Sequence, residues 1–219
     1  MCSSDLALAM LEWGLNWCIT AYSQHLLVIH AACVARGDRA VILPAPPGSG
    51  KSTLCAALAN RGWRLLSDEL TLIRLDTGEV MGLARPVNLK NASIDVIRAY
   101  APEAFLTRPV HDTTKGTVAL MAPTEASVLA VGQWARPTWM ILPRYRPGVD
   151  ARLAPMGSGA AFLQIADNAM NYHILGSHGF AAVGRMVDHC RSFNFEYSRL
   201  DEAIAIFDRL AREAEDDAP

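Results

Sequence analysis

Lysine is scarce in this 219-residue chain, which has three, at positions 51, 90 and 115, against seventeen arginines. Basic and acidic residues nearly cancel, for a formal charge of −2, so the electrostatic footprint of a nucleic-acid binder is absent. The five cysteines (Cys2, Cys18, Cys33, Cys55, Cys190) contain no C-x-x-C pair and no even framework. That excludes a zinc knuckle or a secreted disulfide scaffold and predicts a reducing, cytoplasmic setting. A long unbroken apolar run is also lacking. The nearest approach, Leu6 to Ala21, is interrupted by Glu12 and Asn16 and preceded by no Lys or Arg, so neither a membrane span nor a signal peptide is expected. Leu6, Met10, Trp13 and Trp17 recur there at helical spacing, which predicts a buried amphipathic helix. The opening Met1–Leu6 matches what a common sequencing-adapter string encodes, and the natural start is therefore expected upstream.

What the chain does have is apolar bulk. With 51% hydrophobic and 19% charged residues it can bury one sizeable core, and a single domain over residues 1–212 is expected, with a disordered acidic tail at 213–219. Within it, Ala45-Pro46-Pro47-Gly48-Ser49-Gly50-Lys51-Ser52 satisfies the phosphate-binding pattern G-x-x-x-x-G-K followed by Ser or Thr at every fixed position but the first, which is Ala45. Glycines at 48 and 50 let the backbone turn successive N–H groups into a concavity for phosphate oxygens. Lys51 adds a point charge, Ser52 a hydroxyl suited to Mg²⁺, and a helix from about residue 51 to Asn60 aims its positive end at the same place. Val41-Ile42-Leu43 before the loop reads as a buried strand, and Leu54, Ala57 and Leu58 after it as an apolar helix face. Pro47 to Thr53 are accordingly the candidate nucleotide-binding residues, and ATP with Mg²⁺ the expected ligands.

The surrounding pattern predicts an α/β domain. Residues 26–35 and 40–43 flank a Gly-Asp turn and read as a hairpin whose second strand delivers the loop; Arg64 to Leu66 is a short strand ending in Ser67-Asp68-Glu69. Residues 70–75 and 80–83 form a further strand pair, 85–91 reads as loop, Ser93 to Tyr100 as a short helix, and His111 to Gly116 as polar loop before a strand at 117–120. Trp139 to Leu142 is a strand running into the basic Pro143–Gly148, followed by helices at 158–170 and 177–189, an alternating strand Phe193–Tyr197, and a last helix with Leu200, Ile204, Phe207 and Leu210 on one face. No internal repeat is visible.

Phosphoryl transfer needs, beyond a phosphate cradle, carboxylates for Mg²⁺ and a group to orient the nucleophile. Asp68-Glu69, reached from Lys51 by about one helix and a return strand, meets that need; on composition alone the pair is equally a solvated strand end. His30, loop residues 45–52 and Arg61-Gly62-Trp63-Arg64-Leu65-Leu66-Ser67-Asp68-Glu69 together resemble the catalytic domain of bacterial HPr serine kinase/phosphorylase, whose corresponding last string reads R-G-H-R-L-V-A-D-D, and still more its HprK-related kinase A relatives. The resemblance to those relatives extends to Leu11–Cys18 and Asp167–His173.

That resemblance implies a P-loop domain of the HPr kinase or phosphoenolpyruvate-carboxykinase-like type, a mixed sheet with flanking helices, and ATP–Mg²⁺-dependent transfer to a serine hydroxyl of a protein or peptide. It implies Asp68 as the base taking the acceptor proton, His30 beside it, Lys51 on the phosphates, and Ser52 with Glu69 on Mg²⁺. Without it, His30 alone reads as a core histidine. Glu69 replaces a second aspartate, and the glycine-rich signature of the kinase proper is replaced by Pro86–Asn91. Lys115, Arg144 and Arg146 are candidate contacts for the γ-phosphate or an acidic acceptor segment. A small-molecule hydroxyl kinase and a nucleotide-gated binding module without transferase activity stay open, as does assembly into a homo-oligomer.

Overall fold

The computed structural model describes residues 4–216, so the expectations for the extreme N-terminus and for residues 217–219 lie outside the described residues. The elements in chain order are α1 (Ser4–Tyr22), β1 (Leu26–Arg36), β2 (Arg39–Pro44), α2 (Lys51–Ala59), β3 (Arg64–Ser67), β4 (Leu70–Arg74) and β5 (Val80–Met81). They continue with β6 (Val87–Lys90), α3 (Ala92–Tyr100), β7 (Val110–Thr113), β8 (Gly116–Met121), α4 (Glu125–Leu129), β9 (Arg136–Tyr145) and β10 (Arg152–Pro155). Last come α5 (Ser158–Asn168), α6 (Tyr172–Leu175), α7 (Ser177–His189), β11 (Arg191–Tyr197) and α8 (Leu200–Asp216).

A mixed sheet runs in the order β10-β11-β9-β2-β1-β4-β5, with β3 also paired to β1, and a small antiparallel sheet β6-β8-β7 lies apart. β1 is long enough to serve two sets of neighbours: its first half pairs β4, its second half β2 and β3. Strand alternation then divides the core in two. Ala32, Val34, Val41 and Leu43 pack with α2 and α8, whereas Ile29, Ala31, Cys33 and Ile42 pack with α5 and α7 on the opposite face. Both faces of β1 and β2 are therefore covered, which is why these strands read as continuous apolar runs rather than as alternation. Burying each such Leu, Ile or Phe contributes about 1.5–3 kcal/mol. Trp63 and Phe207 meet edge to face at 6.0 Å between ring centroids and tie the end of α2 to α8.

Four sequence expectations are corrected. Residues 85–91 are not all loop: Val87–Lys90 is strand β6, paired with β8. Residues 111–116 are largely strand, because β7 folds back on β8 as a hairpin with Thr113 opposite Gly116. The C-terminal helix carries on through Asp216 with Ala214 buried, so residues 213–216 are not a disordered tail. The largest correction concerns α1, which lies on the surface with Trp17 70% exposed and Met10, Leu11 and Leu15 also exposed. Beside the buried Ala9 and the packing of Ile19, it is anchored by polar contacts: the Arg85 guanidinium binds the Glu12 carboxylate, the Asn16 side-chain amide oxygen at 2.8 Å and the Glu12 carbonyl at 2.7 Å. A helix apolar nearly all round gave no phase from which the buried side could be read. Among the described residues no helix is long and apolar enough to cross a membrane.

Candidate active site

β2 and β3 are both antiparallel to β1, β9 is parallel to β2, and β11 is parallel to β9. Four strands thus end at one edge of the sheet, the position where open α/β sheets hold ligands. β2 delivers the glycine loop there, β3 delivers Asp68-Glu69, and β9 and β11 deliver Tyr145 and Tyr197.

The loop has the backbone the sequence predicts. Gly48 and Gly50 lie at φ +83° and +87°, while Ala45 is not among the positive-φ residues and is buried at 1% exposure. An alanine at the first motif position is therefore tolerated, because left-handed backbone is needed only at the two glycines that remain. Two tyrosines brace the loop from behind: the Tyr145 amide donates to the Ser49 carbonyl at 2.8 Å, and the Tyr197 hydroxyl donates to the Gly50 carbonyl at 3.0 Å. A Cβ on Gly50 would stand 2.5 Å from that hydroxyl oxygen. Gly50 is also the N-cap of α2, and no side chain caps the helix, whose first turn carries no acidic residue. The first-turn N–H groups and the positive end of the helix dipole are left to an anion.

Lys51 opens α2 and is 8% exposed. His30 has the parity of Ala32 and Val34 along β1, so it faces the α2 side, and its Nε2 lies 3.2 Å from Lys51 Nζ. Burial and then the Lys51 charge pull His30 below its ordinary value, so the ring is neutral at pH 7 and Nε2 accepts from the ammonium. Burial likewise lowers Lys51, with Asp68 and Glu69 pulling it back up. His30 is also register partner to Leu70, which sets the Asp68-Glu69 turn directly beyond it.

Asp68 is 3% exposed and keeps one oxygen for the backbone: Oδ2 accepts from the Asn88 amide at 3.1 Å, while Oδ1 has no partner. Burial pushes its carboxyl up to about 6, against the pull of Lys51, the Asn88 amide and the nearby Ser52 hydroxyl. Glu69 faces Lys90, 3.9 Å away. Lys51, Lys90 and Lys115 all bear electrostatically on His30, so the chain's three lysines converge on one site. Lys115 reaches it from the β7–β8 hairpin and sits 4.6 Å over the Trp13 ring of α1.

The two arginines lie apart from the Lys51–Asp68 cluster. Arg144 lines a cleft of about 650 Å³ on the outer side of the loop, with Pro46, Pro47, Arg152, Asn194 and Glu196. Arg146 is 3.1 Å from Glu196, an ion pair away from the Lys51–Asp68 cluster. Sequence reasoning did not single out Asn88 or Arg85. Alternation in Val87-Asn88-Leu89-Lys90 was the available signal: with Val87 and Leu89 in the core, Asn88 and Lys90 fall together on the other side of β6. Asn171, within the Asp167–His173 stretch, is a core residue. It is fully buried, accepts from the Val28 amide at 3.0 Å and donates to the Leu26 carbonyl at 2.8 Å.

Among the described residues no group of three or more His, Cys, Asp and Glu side chains could hold a metal by itself. The residues that could hold Mg²⁺ are Ser52, whose hydroxyl is near Asp68, and Glu69, next to Asp68 in sequence; one carboxylate and one hydroxyl make a site of the kind Mg²⁺ takes when phosphate oxygens and water complete its shell.

Fold and site together define a mixed-sheet α/β protein that carries a glycine-rich loop, a buried lysine and a buried carboxylate at one strand edge. No protein-family model matches the chain, and neither does any curated protein. Among solved structures, the HPr(Ser) kinase/phosphatase from Coxiella burnetii aligns over 85% of this chain and 98% of its own, at 13% identity and a TM-score of 0.35.

Proposed function

We propose that the protein is an ATP-dependent phosphotransferase of the HPr-kinase-like kind, acting on a serine hydroxyl of a protein or peptide. The observation that supports it most is Asp68, a buried carboxylate with one free oxygen, set against Lys51 and Ser52 of the loop. The loop amides, the start of α2 and Lys51 bind the triphosphate. The nucleoside half takes the cleft beside Pro46 and Pro47, whose size suits it. Mg²⁺, when bound through Ser52 and Glu69, neutralises charge on the β- and γ-phosphates. Neutral His30 holds the Lys51 ammonium in place, and Asp68 accepts the acceptor proton as the hydroxyl attacks.

Lys51→Ala is expected to abolish Mg·ATP binding, read by calorimetry, while leaving the folded circular-dichroism spectrum intact. Asp68→Asn is expected to keep ATP affinity within a few-fold while transfer to a serine-peptide library falls by about 10²–10⁴, the usual range for loss of a general base. Unchanged ATP affinity in a folded Lys51→Ala protein would remove the nucleotide reading. Full transfer by Asp68→Asn would remove the base.

A further inference from the structure

Asp68 Oδ1 is not alone among the buried polar atoms that lack partners. Asn88 Oδ1 and Trp13 Nε1 share that condition, and all three residues line one cavity of about 20 Å³ beneath α1, next to Glu12, Asn16 and Arg85. Such a volume holds one water and little else. The three atoms are the complement of one water. Trp13 Nε1–H donates to its oxygen, Asp68 Oδ1 and Asn88 Oδ1 accept its two protons, and one oxygen lone pair is left unengaged. A buried polar atom left dry keeps its desolvation penalty, so a water here offsets three such penalties at once.

α1 roofs this cavity and is held by Arg85 through Glu12 and Asn16, with Lys115 stacked on Trp13. With α1 seated the cavity admits a water beside Asp68 Oδ1 and nothing larger, so transfer to a serine hydroxyl requires α1 to move aside. The same carboxylate lies close to the Ser52 hydroxyl of the phosphate loop, so the cavity and the proposed phosphate site share Asp68.

We propose that this cavity is a built nucleophilic-water site, and that with α1 seated the protein hydrolyses a nucleoside triphosphate without any acceptor. The water oxygen forms a bond to the γ-phosphorus, and the bond from that phosphorus to the β–γ bridging oxygen breaks. The nucleoside diphosphate leaves with the electron pair, one water proton passes to Asp68 Oδ1, and the other stays on the released phosphate. Trp13 and Asn88 are positioning residues in this reaction. The proposal rests on the nucleotide reading of the loop.

Two readouts test it, one without nucleotide. In a high-resolution crystal structure of the nucleotide-free protein, an ordered water is expected within hydrogen-bond distance of Asp68 Oδ1, Asn88 Oδ1 and Trp13 Nε1. A dry cavity, or one filled by a shifted side chain, would overturn the proposal and leave the nucleotide reading untouched. With Mg·ATP in ¹⁸O-water and no acceptor, the wild type is expected to release labelled phosphate. Trp13→Phe, which keeps an aromatic ring under Lys115 but loses the donor, should slow that release about tenfold at unchanged ATP affinity, and Asn88→Leu, which fills the site without charge, should do the same. ATP that binds without being hydrolysed, or hydrolysis that neither variant slows, would overturn the water site alone. Failure to bind ATP would overturn the loop reading and the hydrolysis with it.

Discussion

Asp68 is a carboxylate kept where burial opposes its charge. Its environment supplies compensation from three sides, the Lys51 ammonium, the Asn88 amide and the Ser52 hydroxyl, and the balance leaves the group titrating at about 6. The sign of the consequence is fixed. Below about 6 the carboxyl is protonated and accepts no proton, and above it the base is ready, so kcat/KM for Mg·ATP with the acceptor should rise with pH through a midpoint near 6. The residual rate of Asp68→Asn should lack that limb. A wild-type midpoint below 4.5 would mean that another group sets the profile. The loop motif singles out Lys51 and Ser52 in the sequence, whereas Asp68 and His30 stand out only through the family resemblance. Lys90 and Asn88 belong to neither. The strand β6, paired with β8, sets them beside Asp68 and Glu69, and sequence spacing does not carry that pairing.

At the scale of the element, the loop from β2 to α2 is the best case of sequence fixing conformation, and it also shows which part of the motif the backbone requires. Gly48 and Gly50 both need left-handed φ, yet their surroundings differ. A Cβ at 48 would meet open space, whereas at 50 it would meet Tyr197 Oη at 2.5 Å and Tyr145 Cβ at 3.0 Å. Gly48→Ala should therefore cost only the backbone strain, about 1 kcal/mol in urea unfolding. Gly50→Ala adds a clash and displaces the two tyrosine braces, for about 2–4 kcal/mol and loss of Mg·ATP binding. Equal costs for the two variants would show that the tyrosines do not hold the loop. The hairpin, the loop and α2 could be read because period, punctuation and motif agree over residues 26–59. The buried side of α1 could not, since its polar anchor is an arginine 73 residues away in sequence, and an apolar helix with Glu12 and Asn16 reads as interrupted rather than as anchored.

For the molecule as a whole, the question is what joins the last third of the chain to the edge that carries the site. Strand β9 does so by sheet pairing, but the turn between α5 and α6 does so with a single side chain. Asn171 is fully buried and spans both edges of one β1 peptide group pair, accepting from the Val28 amide and donating to the Leu26 carbonyl and, at 3.3 Å, to the Gln24 amide oxygen. The neighbouring Met170 amide adds a bond to the Val28 carbonyl at 2.8 Å. Local sequence permits Asn171 either a helix-capping or a core role, and only a contact across 143 residues decides between them. Asn171→Ala leaves a buried amide and a buried carbonyl of β1 without partners, which should cost about 2–4 kcal/mol in urea unfolding at an unchanged slope. Asn171→Asp keeps the acceptor for Val28 but turns a donor toward two carbonyl-type oxygens into a carboxylate, so it should be the worse of the two at pH 8 and recover as the pH falls and the acid protonates. Because the contact lies at the start of β1 and not at the loop, the folded fraction of either variant should bind Mg·ATP like the wild type. Reduced affinity in the fully folded Asn171→Ala protein would instead mean that β1 transmits strain from Val28 along to His30, and that the site and the last third of the chain are one mechanical unit.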